Sequence, residues 1–449
     1  MKVITRFAPS PTGFLHIGNL RTALITWLYA RSNSGKFILR IDDTDYKRSN
    51  DLYIKALKDD LHLIGIDWDI CFQQSSRQCK YEKAKIKLIN TGRLYPCYET
   101  KEELALKKKN LLNKRLAPIY DRSSLYLSLD KKKALEHKGI KPYWRFLLNK
   151  KVISWNDEVK GSLQFETKNL SDPIVVRNDG TLTYSLASIV DDIEYGITHI
   201  IRGEDHISNS AIHIQLFQAL SSKSPVFCHV PLLTTKEKKL SKRENHFSIR
   251  ELIDKGIMPK AITIFLAQIG NSSHFTHKDN ICKLIEDFSL KKLSKSTIQY
   301  SYTQLKSFNT KFLHSLEFAE MQNIFNSLHL DNVDEKFWLS IRYNINVIQD
   351  IKYWYQVCYE DIKTIITNPS LIAIALSMLP HEKFTEFTWD KWIYLIKQHT
   401  KLRGRDLFMP LRLVLTGKNY GPDLSKILPL INTKLIIKRL NNHSLDDKL

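Results

Sequence analysis

Two separated segments carry residue types suited to handling a negatively charged ligand. The first is Thr5-Arg6-Phe7-Ala8-Pro9-Ser10-Pro11-Thr12-Gly13-Phe14-Leu15-His16-Ile17-Gly18-Asn19. It leaves a strand-like run, passes two prolines and a glycine, and enters an amphipathic helix. That layout sets His16 and Gly18 on the loop and first helical turn, where backbone N–H groups and the helix dipole favour anions. The second, Lys239-Leu240-Ser241-Lys242-Arg243, places two lysines around a serine in a basic stretch. Such a pair can neutralise a polyphosphate as its charge moves during reaction.

These segments need a scaffold that brings them together. Residues 2–7 alternate as a strand, and 19–33 read as a helix with Leu20, Ala23, Leu24, Trp27 and Leu28 at helical spacing and Gly35 as its stop. Residues 37–41 form a second strand, so the unit is βαβ with a right-handed crossover and a parallel sheet. Helices are expected over 51–64 and 81–90. From about Tyr95 the character changes to lysine-rich helices and short strands, including a hairpin of 175–177 and 182–184 around Asn178-Asp179-Gly180. Sheet-building sequence then resumes: helix 186–194, strand 198–202, helix 206–220 and strand 226–233. A nucleotide-binding sheet split by an insertion explains that return economically. Beyond about residue 248 strand signals fade, and most of 310–449 reads helical, with no internal repeat or low-complexity linker.

The chain has 449 residues, enough for about three domains. The longest mostly apolar run, 371–379, falls far short of the ~20 residues of a spanning helix. No secretory signal is legible, so the cytoplasm is the expected compartment. The formal charge of +21 asks for a polyanionic partner. Its distribution is uneven: residues 391–449 hold 12 Lys/Arg against 4 Asp/Glu, whereas 301–390 hold 7 against 11. An uneven map favours a binding surface over compositional drift. Six scattered cysteines lack the paired short spacings of structural zinc, and Cys97 has no Cys or His on its C-terminal side until His137. Free thiols and no zinc are expected.

Taken in order, the two segments resemble the ATP-handling signatures of class I aminoacyl-tRNA synthetases, and the residues before His16 resemble the glutamyl branch. Further matching stretches are Leu39-Arg40-Ile41-Asp42-Asp43-Thr44-Asp45, Asp191-Asp192, Arg202-Gly203-Glu204-Asp205-His206, Pro410-Leu411-Arg412 and Thr416-Gly417, so the resemblance spans essentially the whole chain. It implies an α/β plus all-α architecture: a Rossmann-like parallel-sheet domain split by an α+β insertion, then helical stem-contact and anticodon-binding domains. The expected segments are 1–94 and 187–247 for the two catalytic halves, 95–186 for the acceptor-binding insertion, 248–320 for the stem-contact domain and 321–449 for the anticodon domain. The implied reaction is ATP-dependent attachment of L-glutamate to tRNA(Glu) through an adenylate, with Mg²⁺ accompanying ATP and a monomer as the acting form. It runs on positioning and charge stabilisation, with no protein nucleophile.

For glutamate the resemblance nominates Arg6, Ala8, Ser10, Asp42, Tyr184 and Arg202, with an arginine fork on the side-chain carboxylate and Asp42 facing the ammonium. For ATP it nominates Pro9, Thr12, His16, Gly18, Asn19, Asp205, Leu233, Lys239, Leu240, Ser241, Lys242 and Arg243, with His16, Lys239 and Lys242 catalytic. Two positions depart from the family pattern. Asp42 stands where glutamyl enzymes usually have Glu, and Asn19 where many relatives have a second His. Asp42 leans toward the glutaminyl pattern, whereas Ala8 and Ser10 are glutamyl. Lys292-Leu293-Ser294-Lys295-Ser296 fits the lysine signature as text, but lies between helical stretches and reads as a stem contact or connector. The runs 107–109, 131–133 and 150–151 are candidate tRNA phosphate contacts, and Trp354, Tyr355, Arg403, Arg405 and Arg412 loose anticodon candidates. Rival readings are charging of tRNA(Gln) with glutamate, a glutaminyl enzyme, a short tRNA-modifying relative (disfavoured by 320–449), and a catalytically silent RNA-binding paralogue.

Overall fold

Strand β1 (Ile4–Phe7), helix α1 (Ile17–Ser32) and strand β2 (Lys36–Ile41) form the parallel βαβ unit, with Ile4 opposite Lys36 and Phe7 opposite Leu39. The computed structural model describes residues 2–45, 48–234, 248–331, 333–382 and 384–441. Helix α1 is buried on most sides, since Ile17, Leu20, Ala23, Leu24, Leu28 and Ala30 are all inaccessible. Helix α2 (Asp51–Leu63) returns the chain to β3 (Ile70–Gln73), parallel to β2, and α3 (Gln78–Asn90) follows. The side chain of Asn50 caps α2 by accepting from Leu52 N.

The insertion contains β4 (Leu94–Cys97), α4 (Lys101–Asn113), α5 (Leu129–His137), β5 (Tyr143–Phe146), β6 (Val152–Asp157), β7 (Gly161–Glu166) and β8 (Ile174–Val176). Strands β4, β5 and β8 make an antiparallel sheet, while β6 and β7 form a hairpin. Phe146, Val175 and Val176 share one hydrophobic core with Ile38, Ile200 and Phe227 of the parallel strands. The insertion is therefore packed into the same core as the sheet it interrupts.

The parallel architecture resumes with α6 (Tyr184–Glu194), β9 (His199–Gly203), α7 (Ile207–Ala219) and β10 (Val226–Val230), where β9 and β10 pair in parallel. Thr198 ties the halves together: its N donates to Ile4 O at 2.9 Å, and its Oγ1 accepts from Ile4 N at 2.8 Å. The β1–β2–β3 and β9–β10 ladders therefore adjoin through β1 and β9, which lie side by side. Three details differ from the expectation. Tyr184 opens α6, so the hairpin after Asn178 shrinks to one bridge between Val176 and Leu182. The strand over 226–233 breaks at Pro231, which has no N–H to give a ladder, and resumes as β11 (Leu233–Thr234). Beyond α8 (Ile249–Asp254), α9 (Pro259–Gln268) and α10 (Ile281–Asp287), a short β12 (Ile298–Gln299) pairs with β11 in a stretch read as strand-free.

The chain divides into two compact units: 1–252 with 262–301, and 253–261 with 302–449. The second is helical among its described residues, as the periodicity indicated. Its core contains Trp338, Trp354 and Arg439, all fully buried. Arg439 donates to the carbonyls of Leu415 (2.8 Å), Val357 (2.8 Å) and Glu360 (2.7 Å), satisfying acceptors left over at helix ends. Trp354, 1 % exposed, is a core residue and not the RNA contact its type had implied.

Candidate active site

A cavity of about 440 Å³ opens at the C-terminal ends of β1 and β9. The sheet grows outward from these strands in opposite directions, the position where open parallel sheets bind ligands. Arg6, Ala8, Pro9, Ser10, His16, Gly18, Asn19, Tyr184, Arg202, Asp205 and Leu233, scattered through the sequence, all line it. Thr12 and Asp42 do not, and the segment 239–243 lies outside the described residues. Residues 292–296 are not among the lining residues either.

His16 is the N-cap of α1, with extended backbone angles. Its Nδ1 accepts from Gly18 N at 3.1 Å and Asn19 N at 3.3 Å. Amide N–H groups only donate, so Nδ1 is the bare nitrogen and Nε2 carries the proton. The imidazole thus consumes two of the helix-start N–H groups expected to meet an anion directly, and substitutes its own donor. A Cβ on Gly18 would sit 3.0 Å from His16 Cε1 and 3.1 Å from Nδ1, so the missing side chain makes room for the ring. Gly203 has a parallel role that its place in a motif did not disclose. A Cβ there would meet Asp205 Oδ1 at 2.5 Å and Leu232 Cδ2 at 3.2 Å.

Three arginines give the cavity its sign. Arg6 donates Nε to Asp192 at 3.2 Å. Arg202 is 6 % exposed and forms no ion pair with a carboxylate among the described residues. It donates instead to Ser210 Oγ (2.6 Å), His213 Nδ1 (3.2 Å) and His229 Nε2 (3.4 Å). Arg21, absent from the sequence reading, donates to the carbonyls of Pro231 (3.3 Å) and Ile269 (3.1 Å), also without a carboxylate. Burial lowers Arg202, and lowers Arg21 to about 10, so both remain cationic near neutral pH. Among the described lining residues only Asp205 is acidic. Two buried cations that pair with no carboxylate among the described residues, beside one cavity, fit an anionic ligand.

Asp42 lies beneath this cavity rather than in its wall. Arg40 holds both its oxygens, at 2.7 and 3.2 Å, and also donates to Asp192 at 2.8 Å. Burial pushes the Asp42 carboxyl up to about 6, against the pull of Arg40. Asp191 accepts from Arg77 (2.7 Å), Gln74 (2.8 Å) and Tyr81 (2.9 Å). The motif residues Asp42, Asp191 and Asp192 are thus a buried charge lattice supporting Arg6. Asp42, expected to face a ligand ammonium, meets Arg40 here and is not among the residues lining the cavity.

The family model described as tRNA synthetases class I (E and Q), catalytic domain, matches residues 2–315, and an anticodon binding domain model matches 367–444. Glutamate–tRNA ligase 1 of Rickettsia prowazekii (strain Madrid E) is 47 % identical over 442 residues, spanning 98 % of this chain and 99 % of its own. The chain belongs to the glutamate–tRNA ligase family. A second such ligase, glutamate–tRNA ligase 1 of Rickettsia felis, is 44 % identical over 444 residues with the same coverage. A crystal structure of a glutamate tRNA ligase from Elizabethkingia meningosepticum, described in complex with its amino acid, superposes with a TM-score of 0.85 at 27 % identity. It covers 98 % of this chain and 99 % of that one. Membership of this ligase family agrees with the class I catalytic and helical architecture read from the sequence.

Among the described residues no group of three His, Cys, Asp or Glu side chains could hold a metal ion. No described helix is long and apolar enough to cross a membrane.

Proposed function

We infer that the chain attaches L-glutamate to the 3′ end of tRNA(Glu), using ATP and passing through a glutamyl-adenylate. Membership of the glutamate–tRNA ligases supports the reaction, and one observation links it to residues: Arg202, buried and without a carboxylate partner among the described residues, lines the same cavity as Arg6 and His16. In this reading the substrate's side-chain carboxylate lies between Arg6 and Arg202, with Ala8, Ser10 and Tyr184 shaping its seat. Its α-carboxylate attacks the α-phosphate of ATP. His16 offers its Nε2 proton to the phosphates, while Lys239 and Lys242, with Leu240, Ser241 and Arg243 around them, neutralise the departing pyrophosphate. Pro9, Gly18, Asn19 and Leu233 border the adenosine, and Asp205 the ribose, while Thr12 lies outside the cavity lining. Asp42 acts through Arg40, not on the substrate. Magnesium arrives bound to ATP as part of the substrate.

The division into catalytic halves 1–94 and 187–247, acceptor-binding insertion 95–186, stem-contact domain 248–320 and anticodon domain 321–449 is kept as the functional partition, in a cytoplasmic monomer. Aminoacylation with labelled glutamate and, separately, glutamine, on purified tRNA(Glu) and tRNA(Gln), tests the proposal. Glutamate transfer to tRNA(Glu) is the expected product. Glutamine transfer in its place would overturn it, and additional glutamate transfer to tRNA(Gln) would establish the wider acceptor range.

The His16 cap carries a separate prediction. Gly18→Ala should displace the imidazole, remove a cap worth about 1 kcal/mol and slow ATP–pyrophosphate exchange about tenfold. An exchange rate equal to the parent's would remove the His16 ring from phosphate binding.

A further inference from the structure

Arg202 is held by a chain of groups that reaches into the insertion. Asp157, the last residue of β6, lies 2.6 Å through Oδ2 from His229 Nδ1, and both side chains are fully buried. His229 Nε2 in turn lies 2.9 Å from Ser210 Oγ and 3.4 Å from Arg202 Nε. Ser210 Oγ accepts from the second terminal nitrogen of Arg202 at 2.6 Å. We propose that Asp157, His229 and Ser210 are a positioning relay that aims Arg202 and sets how well the pocket separates glutamate from glutamine. The proposal rests on the reading of Arg202 as a carboxylate fork.

The relay works by fixing one tautomer. Burial favours a protonated Asp157, but hydrogen bonds from His229 and from the backbone N–H groups of Lys160 and His229 outweigh it and keep the carboxyl below its ordinary range. Burial lowers His229, so its ring is neutral. A carboxylate can only accept, so the single ring proton sits on Nδ1 and Nε2 is bare. Nε2 is then an acceptor, as Arg202, which only donates, requires. The Ser210 hydroxyl accepts from Arg202 and has Nε2 at 2.9 Å as the nearer acceptor for its own proton, with His206 O at 3.4 Å. With His213 Nδ1 accepting at 3.2 Å, three of the five guanidinium N–H groups are anchored in set directions. The remaining N–H groups lie on the terminal nitrogens, where the Tyr184 side chain also hydrogen-bonds the guanidinium, so an incoming carboxylate shares this fork with Tyr184. Among the described residues no carboxylate hydrogen-bonds Arg202, and Asp192 acts on it only through space, so the guanidinium keeps charge to offer an anion. The amide of glutamine offers one acceptor and no charge.

Asp157→Asn separates this role from structure. Asp157 Oδ1 accepts from the N–H groups of Val159 (3.1 Å), Lys160 (2.9 Å) and His229 (3.1 Å), and an asparagine oxygen keeps all three. The new NH₂ would face His229 Nδ1 and drive the ring proton to Nε2, where it opposes Arg202. Asp157→Asn should raise the glutamate KM about 10- to 100-fold and lower glutamate-over-glutamine selectivity alike, with the ATP KM and Tm nearly unchanged. Ser210→Ala should move the same two quantities in the same direction, and decides the matter if Asp157→Asn fails to fold. If neither variant changes the glutamate KM while Arg202→Met raises it, the relay is wrong and the fork stands. If Arg202→Met also leaves the glutamate KM unchanged, the fork itself is wrong and the relay falls with it.

Discussion

Arg202→Met should raise the glutamate concentration for half-maximal adenylate formation by about a hundredfold or more, with the ATP requirement changing only a few fold. Methionine keeps most of the apolar stem length but removes the charge and all five donors. Truncating one partner of a desolvated, hydrogen-bonded charge pair typically costs about 2–5 kcal/mol, because the other charge is left buried and unpaired. Here that other charge is the ligand's, so the loss falls on glutamate and not on nucleotide. Initial-rate measurements varying each substrate separate the two. Equal increases in both KM values would mean that Arg202 supports the fold of the cavity and does not contact glutamate. Selectivity sharpens the prediction: the variant should lose glutamate far more than glutamine, since the amide never engaged the charge.

Local patterns carried much of this site, and buried geometry supplied the rest. His16 and Gly18 were legible because a Pro/Gly loop entering a helix is a short-range signal. The ring's use of Nδ1 to cap α1 was not, since it depends on a rotamer. Arg6 and Arg202 were named from motifs, whereas their opposite environments, one paired with Asp192 and the other with no carboxylate, arise from contacts 186 residues apart or from neutral side chains. Arg21 was hidden on a helix face that reads as core, because nothing in sequence separates a buried cation bonded to carbonyls from a solvated one. Strand β3 went unread because four residues carry too little alternation, and β12 because two carry none. Asp42 shows the limit of motif reading: its type and motif pointed at the substrate, and sequence alone could not show that Arg40 donates to both of its oxygens.

That contact makes Arg40→Met the substitution expected to damage stability most, by about 3–5 kcal/mol, the usual cost of leaving a buried charge without its partner. Arg40 is 1 % exposed and meets Asp42, Asp192 and the hydroxyl and carbonyl of Ser188. With Arg6 and Arg77 it balances the carboxylates of Asp42, Asp191 and Asp192, so its loss leaves this lattice one positive charge short. The effect should depend on pH in a definite direction. Burial already places the Asp42 carboxyl at about 6, above its unfolded value, and losing Arg40 raises it further. A carboxyl raised in the folded state destabilises it most where it is ionised, and the deficit shrinks as protons bind. The gap in Tm between parent and variant should therefore narrow from about pH 7.5 to about pH 5.5. Arg77→Met, at the 12 % exposed edge of the lattice, should cost less at every pH. A gap that stayed constant or widened on acidification would mean that the carboxylates are solvated after the substitution, and that the lattice does not depend on Arg40 for its charge balance.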